Sequence, residues 1–374
     1  MAEEKTNELG NHIEMKKVWE LLAILVVTAI IWNLPTSSFG INGLTVVQQR
    51  IIAIFVFATL SWLTECIPAW ATSLSIMSIM CVTVSKNAFG VFKGDGIGEL
   101  LDSKEIMASF ADPIIMLFLA GFILAIAASK SGLDTLLARN LIKPFGNKSE
   151  NVLLGFLLIT GLFSMFISNT ATAALMLTFL TPVFAALPAN GKGRIALTMS
   201  IPIAANLGGM GTPIGTPPNL IALKYLNDPA GLNMNIDFMH WMAFMAPLVI
   251  VLLLLSWRII LYFFPFTQKT IHLKIDGEVH RGWRMWVVIV TFIVTILLWV
   301  IPKDVTGIDT NTVSMIPMAI FAITGVITAK DMQEINWSVI WMVAGGFAIG
   351  LGMNGSGLAD AAIESIPFGN WSPI

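Results

Sequence analysis

Apolar residues fill long blocks of this chain, and polar residues gather in short stretches between them. The blocks fall at residues 18–35, 51–84, 113–128, 153–187, 195–223, 241–264, 286–302, 313–328 and 339–353. Most are close to the ~20 residues that cross a bilayer as α-helix. The ten-residue alternation of a membrane β-barrel is absent. Block 51–84 is long enough for two spans and holds Pro68 near its middle, so it predicts two helices turning there. Two other blocks are interrupted. Residues 153–187 carry Ser168, Asn169, Thr170 and Thr172 at mid-length, and residues 195–223 contain the run NLGGMGTPIGTPPN from Asn206 to Asn219. A buried hydroxyl or amide without a partner costs roughly 2 to 7 kcal/mol on transfer to an apolar medium, so these positions need a compensating role.

Composition agrees with an all-α polytopic membrane protein. Of 374 residues, 56% are hydrophobic and 12% charged, against about 25% charged in soluble domains. The net charge of −2 gives no case for nucleic acid. Cys66 and Cys81 lie inside apolar segments, which argues for packing rather than a disulfide framework or thiolate metal site. The first apolar block follows Lys16 and Lys17 like a signal peptide, but no small-residue cleavage site follows, so it reads as the first helix.

Lys and Arg set the expected orientation. With a cytoplasmic N-terminus and residues 153–187 dipping in and returning, the inner loops hold Lys130, Arg139, Lys143, Lys148, Lys192, Arg194, Lys269, Arg284 and Lys330 among others. The outer loops hold Arg50, Lys86, Lys93, Lys104, Lys224 and Lys303. A plain span over 153–187 would instead send the basic loop from Lys269 to Arg284 outward. An internal repeat adds to this. FLAGFILAIAASKSGLDTLLA at 118–138 aligns with VAGGFAIGLGMNGSGLADAAI at 343–363, and PFGN recurs at 144–147 and 367–370. Under the charge-derived topology the copies run in opposite directions, as in secondary transporters built on inverted repeats.

In the first interrupted block, 153–163 and 171–180 are expected as two half-helices, leaving Ser168, Asn169 and Thr170 at the break. Side-chain oxygens there cap the second half, whose free N–H groups form an anion site by geometry and dipole. The same neutral oxygens and unwound carbonyls suit a hard monovalent cation such as Na+. Glycine and proline in the second break remove donors and let backbone approach a ligand. Irregular backbone at this depth survives only where it is buried in protein or lines a cavity.

SNTATAALM from Ser168, GGMGTPIGTPPN from Gly208 and WLTECIPAW from Trp62 resemble the divalent anion/sodium symporter family, carriers of di- and tricarboxylates or sulfate. The resemblance implies an inverted-repeat transporter with a re-entrant hairpin and a broken helix in each repeat, working as a homodimer by an elevator motion. By motif it implies a sodium site of Ser164, Ser168, Asn169 and Gly215. Asn169, Thr170 and Thr216 would face the substrate carboxylates. It divides the chain into residues 1–138 as first scaffold half, 139–266 as first transport half, and 267–374 as second scaffold half. The transport half comprises a hairpin over about 151–187, a broken helix over about 195–226 and one further span. KSGLDTLLARNLIKPFG from Lys130 resembles the arm helix linking the halves. Under the repeat shift of 223 to 225 the counterpart of Ser168 falls at 391–393, past Ile374. The second hairpin and the second sodium site are therefore expected to be missing, and these residues alone to give no sodium-driven succinate uptake.

The expected function is sodium-coupled import of succinate, fumarate or malate through the plasma membrane or a cell inner membrane. Alternatives are a sodium-independent exchanger, a sulfate or tricarboxylate carrier, and a passive anion channel. An enzyme would require an acid, base or nucleophile cluster at one depth, and none is evident. GLGMNG from Gly350 matches a nucleotide fingerprint without the strand-turn-helix unit it requires. His240 has no second ligand in metal spacing. Glu65 is expected to stabilise the turn at Pro68, and Arg258 to snorkel. The sequons at Asn147 and Asn336 lie on the expected inner side.

Overall fold

The apolar blocks are helices. A computed structural model describes residues 15–185, 187, 188, 191–228, 232–271, 282–301 and 303–365. In chain order the helices are α1 (Met15–Asn33), α2 (Val46–Thr64), α3 (Ala69–Thr83), α4 (Ser103–Ala108), α5 (Pro113–Ser131), α6 (Leu133–Ile142), α7 (Ser149–Ser164) and α8 (Asn169–Ala185). They continue as α9 (Lys192–Gly209), α10 (Pro217–Leu226), α11 (Phe238–Phe263), α12 (Trp283–Val300), α13 (Lys303–Thr306), α14 (Thr310–Ile323), α15 (Trp337–Gly355) and α16 (Leu358–Ser365). Among the described residues, five helical segments are long and apolar enough to cross a membrane: Val46–Thr64, Ser103–Ser131, Phe238–Phe263, Trp283–Val300 and Trp337–Gly355. This is a multi-pass, all-α membrane protein.

Local signals explain several boundaries. Thr45 opens α2 with a capping box: its hydroxyl accepts from the Gln48 N–H at 3.3 Å, and the Gln48 side chain accepts from the Thr45 N–H at 2.9 Å. The helix therefore starts at Val46, which places Arg50 inside it rather than in the outer loop expected from the apolar run. There Arg50 is buried, its Nη1 donating to the carbonyls of Thr83 at 3.0 Å and Phe92 at 2.7 Å. At the other end of α2 Glu65 takes a left-handed conformation with φ 51°, its N–H bonded to Ser61 O, and α3 begins after Pro68. The backbone of Glu65 makes this turn, while its side chain is exposed.

The described residues fall into two compact units. The first takes those of Met1–Asp112 and Trp337–Ile374. In it α15 presses on α3 where a methyl at Gly345 would lie 2.6 Å from Ser73, and Gln48 Nε2 holds the Ser356 carbonyl at 2.8 Å. The second unit is Pro113–Asn336. The repeat appears once in each unit: α5 turns into α6 at Gly132 with φ 71°, and α15 turns into α16 at Gly357 with φ 70°. Glycine occupies this left-handed corner without steric cost. The second PFGN, at 367–370, lies outside the described residues.

Within the second unit α7 and α8 form a hairpin that returns to the end where it began. At its start Ser149 Oγ donates to Gln268 O at 2.6 Å, and Trp257 Nε1 donates to Glu150 O at 2.9 Å, both on or just past the last turns of α11. After the hairpin closes, Gly193 at the start of α9 sits so near Phe266 that a methyl would lie 2.4 Å from the ring. Both feet of the hairpin thus stand beside the C-terminal end of α11. The 16 residues of α7 reach about 24 Å, short of the ~30 Å hydrocarbon core.

The basic residues of this unit segregate accordingly. Lys130, Arg139, Lys143, Lys148, Lys192, Arg194, Lys269, Arg284 and Lys330 flank helix ends on the hairpin-foot side, whereas Lys224 and Lys303 flank the opposite ends. Arg258 lies within α11 with its guanidinium 4.5 Å over the Trp257 ring.

One ion pair ties the foot side together. Lys130 Nζ at the end of α5 meets Asp331 Oδ2 at 2.5 Å, and the same oxygen accepts from Thr328 N and Oγ1, each at 2.6 Å. Burial alone would raise the Asp331 carboxyl, but the bonds from Lys130 and Thr328 outweigh it and bring its pKa down to about 2 from 3.8. A depressed carboxyl stabilises the fold above its unfolded pKa and loses that contribution as pH falls toward the folded value. Asp331→Asn is therefore expected to lower stability by about 2 kcal/mol at pH 7, allowing for solvent screening at half-exposed Lys130. The gap to the parent protein should shrink as pH drops below about 4. Thermal melts in detergent across that range measure it, and a gap constant with pH would contradict the pairing.

Candidate functional site

Two helix breaks meet in the middle of the second unit. The chain leaves helix at Met165 and re-enters it at Asn169, while α9 ends at Gly209 and α10 begins at Pro217. Ser168 is the residue that restarts α8: its hydroxyl accepts from the Ala171 N–H at 3.3 Å, and its carbonyl accepts from Thr172 N at 2.9 Å. The sequence expectation had Asn169 and Thr170 in the gap. They instead form the first turn of α8, because a serine cap lets the helix begin with the next residue.

Close backbone packing assembles the site. A methyl on Gly208 would lie 2.2 Å from the Gly161 carbonyl oxygen, so α7 and α9 touch backbone to backbone. One turn along from this contact Ser164, fully buried, sets its Oγ 2.7 Å from the Ala205 carbonyl oxygen and 2.7 Å from Asn169 Oδ1. A hydroxyl has one proton to give. The triangle of Ser164 Oγ, Asn169 Oδ1 and Ala205 O therefore holds more lone pairs than hydrogens. Asn169 Nδ2 donates outward to Asn206 Oδ1 at 3.3 Å.

Gly209 joins the breaks. A methyl there would lie 2.5 Å from Asn169 Oδ1, and one on Gly215 would lie 2.4 Å from Gly209 O. Asn219, buried in the first turn of α10, fixes this loop by donating Nδ2 to Gly209 O at 2.9 Å and Thr212 O at 2.7 Å. Thr212, also buried, donates its hydroxyl to Met165 O, tying one break to the other. From outside, Trp241 Nε1 donates to Met210 O at 3.0 Å.

Of the residues singled out in the sequence, Ser164, Asn169 and Gly215 converge around Gly209. Ser168 is half-buried and serves as the cap of α8. Thr170 is exposed in the first turn of α8, and Thr216 is the half-buried residue before α10, its side chain making no capping bond. Four contributors were not foreseen: the Ala205 carbonyl and the side chains of Asn206, Thr212 and Asn219. The two asparagines that bracket the glycine-proline run were a readable signal. A main-chain carbonyl leaves none.

The site contains no titratable side chain. Among the described residues no group of three or more His, Cys, Asp or Glu is placed to hold a metal ion. His240 pairs with Asp237, which caps α11, Nδ1 to Oδ1 at 2.8 Å. The polarity is supplied by helix ends. The N-terminus of α8 brings the free N–H groups of Asn169 and Thr170 and positive partial charge, α10 opens on Pro217 and Pro218 and so adds its dipole without free N–H groups, and the C-terminal carbonyls of α9 bring negative partial charge. Such a junction offers neutral oxygens to a cation and amide donors to an anion side by side.

Residues 55–374 match the CitMHS family, described as citrate transporter. The "Inorganic phosphate transporter PHO87" of Saccharomyces cerevisiae is 28% identical over 348 residues, covering 92% of this chain and 36% of that protein. The "Sodium-dependent dicarboxylate transporter SdcS" of Staphylococcus saprophyticus is 32% identical over 374 residues, covering 90% of this chain and 68% of that protein. The SdcS of Staphylococcus aureus strain USA300 is 31% identical over 345 residues, covering 83% and 63%. The chain thus spans about a third of the yeast protein and about two thirds of the staphylococcal ones. Helical architecture, paired helix breaks and a match across most of the chain lead to one conclusion: this chain belongs to the CitMHS citrate transporter family, in the superfamily of the divalent anion/sodium symporters.

Proposed function

We propose that this protein moves small dicarboxylates of the succinate, fumarate or malate type across the membrane in symport with Na+. The observation that carries this reading is the oxygen triangle of Ser164, Asn169 and Ala205 with its single proton, set against the start of α8. Na+ takes neutral oxygens at such a point. Its charge then stands beside the α8 N-terminus, so the dianion meets both a cation and unbonded N–H groups. Anion binding that waits for the ion is the basis of coupling. Ser168 and Gly215 complete the ion site, and Asn169, Thr170 and Thr216 meet the carboxylates. Two relatives named as sodium-dependent dicarboxylate transporters support the same assignment.

The carrier works as a homodimer in a plasma membrane or cell inner membrane, N-terminus inside, since Lys16 and Lys17 stand at the start of α1. Residues 139–266 move as an elevator against the halves 1–138 and 267–374.

Binding of 22Na+ to the purified protein tests the ion site. Ser164→Ala removes one oxygen from a fully buried position and is expected to weaken Na+ at least tenfold, in line with the ~1.5–3 kcal/mol of a hydrogen-bonding group facing a charge. Unchanged sodium affinity would sink the assignment. Uptake of succinate into proteoliposomes, measured with a second hairpin present, separates the alternatives. Symport requires an inward Na+ gradient, an exchanger requires internal dicarboxylate instead, and a channel requires neither. Sulfate and phosphate belong in the same assay as competitors, because one relative is named a phosphate transporter.

A further inference from the structure

We propose that the second unit holds the phosphodiester headgroup of an anionic phospholipid in a cavity at the corner between α5 and α6. The cavity has a volume of about 300 Å³. Lys130 and Ser131 line it from the end of α5, and Trp283 and Arg284 from the start of α12. Its floor is apolar, made by Met285 and Val326, both buried.

The charges favour an anion. Lys130 gives one donor to Asp331 and keeps its side chain 41% exposed. Arg284 packs its guanidinium 5.6 Å over the Trp283 ring, and among the described residues no carboxylate pairs with it. Gly282 caps α12 without a side-chain bond, so the first N–H groups of the helix add to the same field. A guanidinium fork and an ammonium across a small cavity match the oxygens of a phosphodiester.

The setting selects a lipid over a free anion. Trp283 and Trp286 are 60% and 67% exposed on the first turn of a membrane-spanning helix, the position of an aromatic belt at headgroup depth. Basic cavities between membrane helices at that level are headgroup sites. The apolar floor accepts the glycerol backbone below the phosphate. None of the cavity residues belongs to the ion and substrate site, and occupancy would brace the corner at Gly132 where α5 passes into α6.

The probe is phosphatidylglycerol, with phosphatidylcholine as the zwitterionic control. Purified protein in mixed micelles of the two is expected to retain phosphatidylglycerol preferentially in native mass spectrometry. Arg284→Gln, an exposed position where folding is not at risk, should reduce that retention about fivefold, the loss for one basic residue at an anionic membrane surface. Arg284→Lys should recover part of it. Equal retention of the two lipids, or full retention of phosphatidylglycerol by Arg284→Gln, would overturn the proposal. So would displacement of the lipid by inorganic phosphate at equal concentration, which would make the cavity a free-anion site.

Discussion

Asn169→Ala is expected to weaken sodium and dicarboxylate binding together. The amide oxygen is one corner of the oxygen triangle, 2.7 Å from Ser164 Oγ, and the residue also starts α8, whose free N–H groups face the proposed anion. Each contact to a charged ligand is worth about 1.5–3 kcal/mol, so losing the amide should weaken either ligand by roughly tenfold to a hundredfold. On the proposed coupling, in which the anion is held only beside the bound cation, the two losses multiply for substrate. Equilibrium binding of 22Na+ and of labelled succinate to the purified protein reads both. Asn169→Asp sharpens the test. It keeps an oxygen toward the ion and adds negative charge, so sodium affinity should be retained or raised while the dianion is repelled. Parallel loss of both ligands in the Asp variant, or loss of only one in the Ala variant, would show that ion and anion do not share this residue.

Gly208→Ala should be the most damaging small substitution in the second unit. The new methyl would lie 2.2 Å from the Gly161 carbonyl oxygen and 2.5 Å from its Cα, and backbone cannot rotate out of the way. The helices α7 and α9 must separate. Overpacking of this kind costs about 1–3 kcal/mol and sometimes more. The displacement also reaches the proposed ion site, since Ser164 follows Gly161 by one turn and Ala205 precedes Gly208 by one turn. Pulling Ser164 Oγ away from Ala205 O should therefore reduce sodium affinity although neither glycine meets the ion. Gly90→Ala is the control, because nothing lies within 4 Å of the added methyl and the backbone there is ordinary. Thermal unfolding and sodium titration of the two variants decide the matter. A Gly208→Ala protein that melts and binds sodium like the parent would mean that the helix contact is not what holds the site.

The chain's helices were legible because each depends on neighbours in sequence. Apolar runs set the spans, Ser168 and Thr45 cap the helices that follow them, and Gly132 and Gly357 mark the same left-handed corner in both copies of the repeat. The clustering of lysine and arginine at one set of helix ends was likewise readable from loop composition alone. The boundaries that moved did so through single capping contacts, as when Thr45 drew Arg50 into α2 and Ser168 drew Asn169 into α8.

From the sequence alone come the membrane class, the two interrupted helices and the small neutral side chains at the breaks, all consequences of local hydrophobicity and backbone preference. Tertiary structure alone decides that both feet of the hairpin stand beside the end of α11, and that Ala205 O, Thr212 and Asn219 join Ser164 and Asn169 around Gly209. The reason is physical: a carbonyl is present on every residue and acquires a role only when glycine lets another backbone come close enough to aim it.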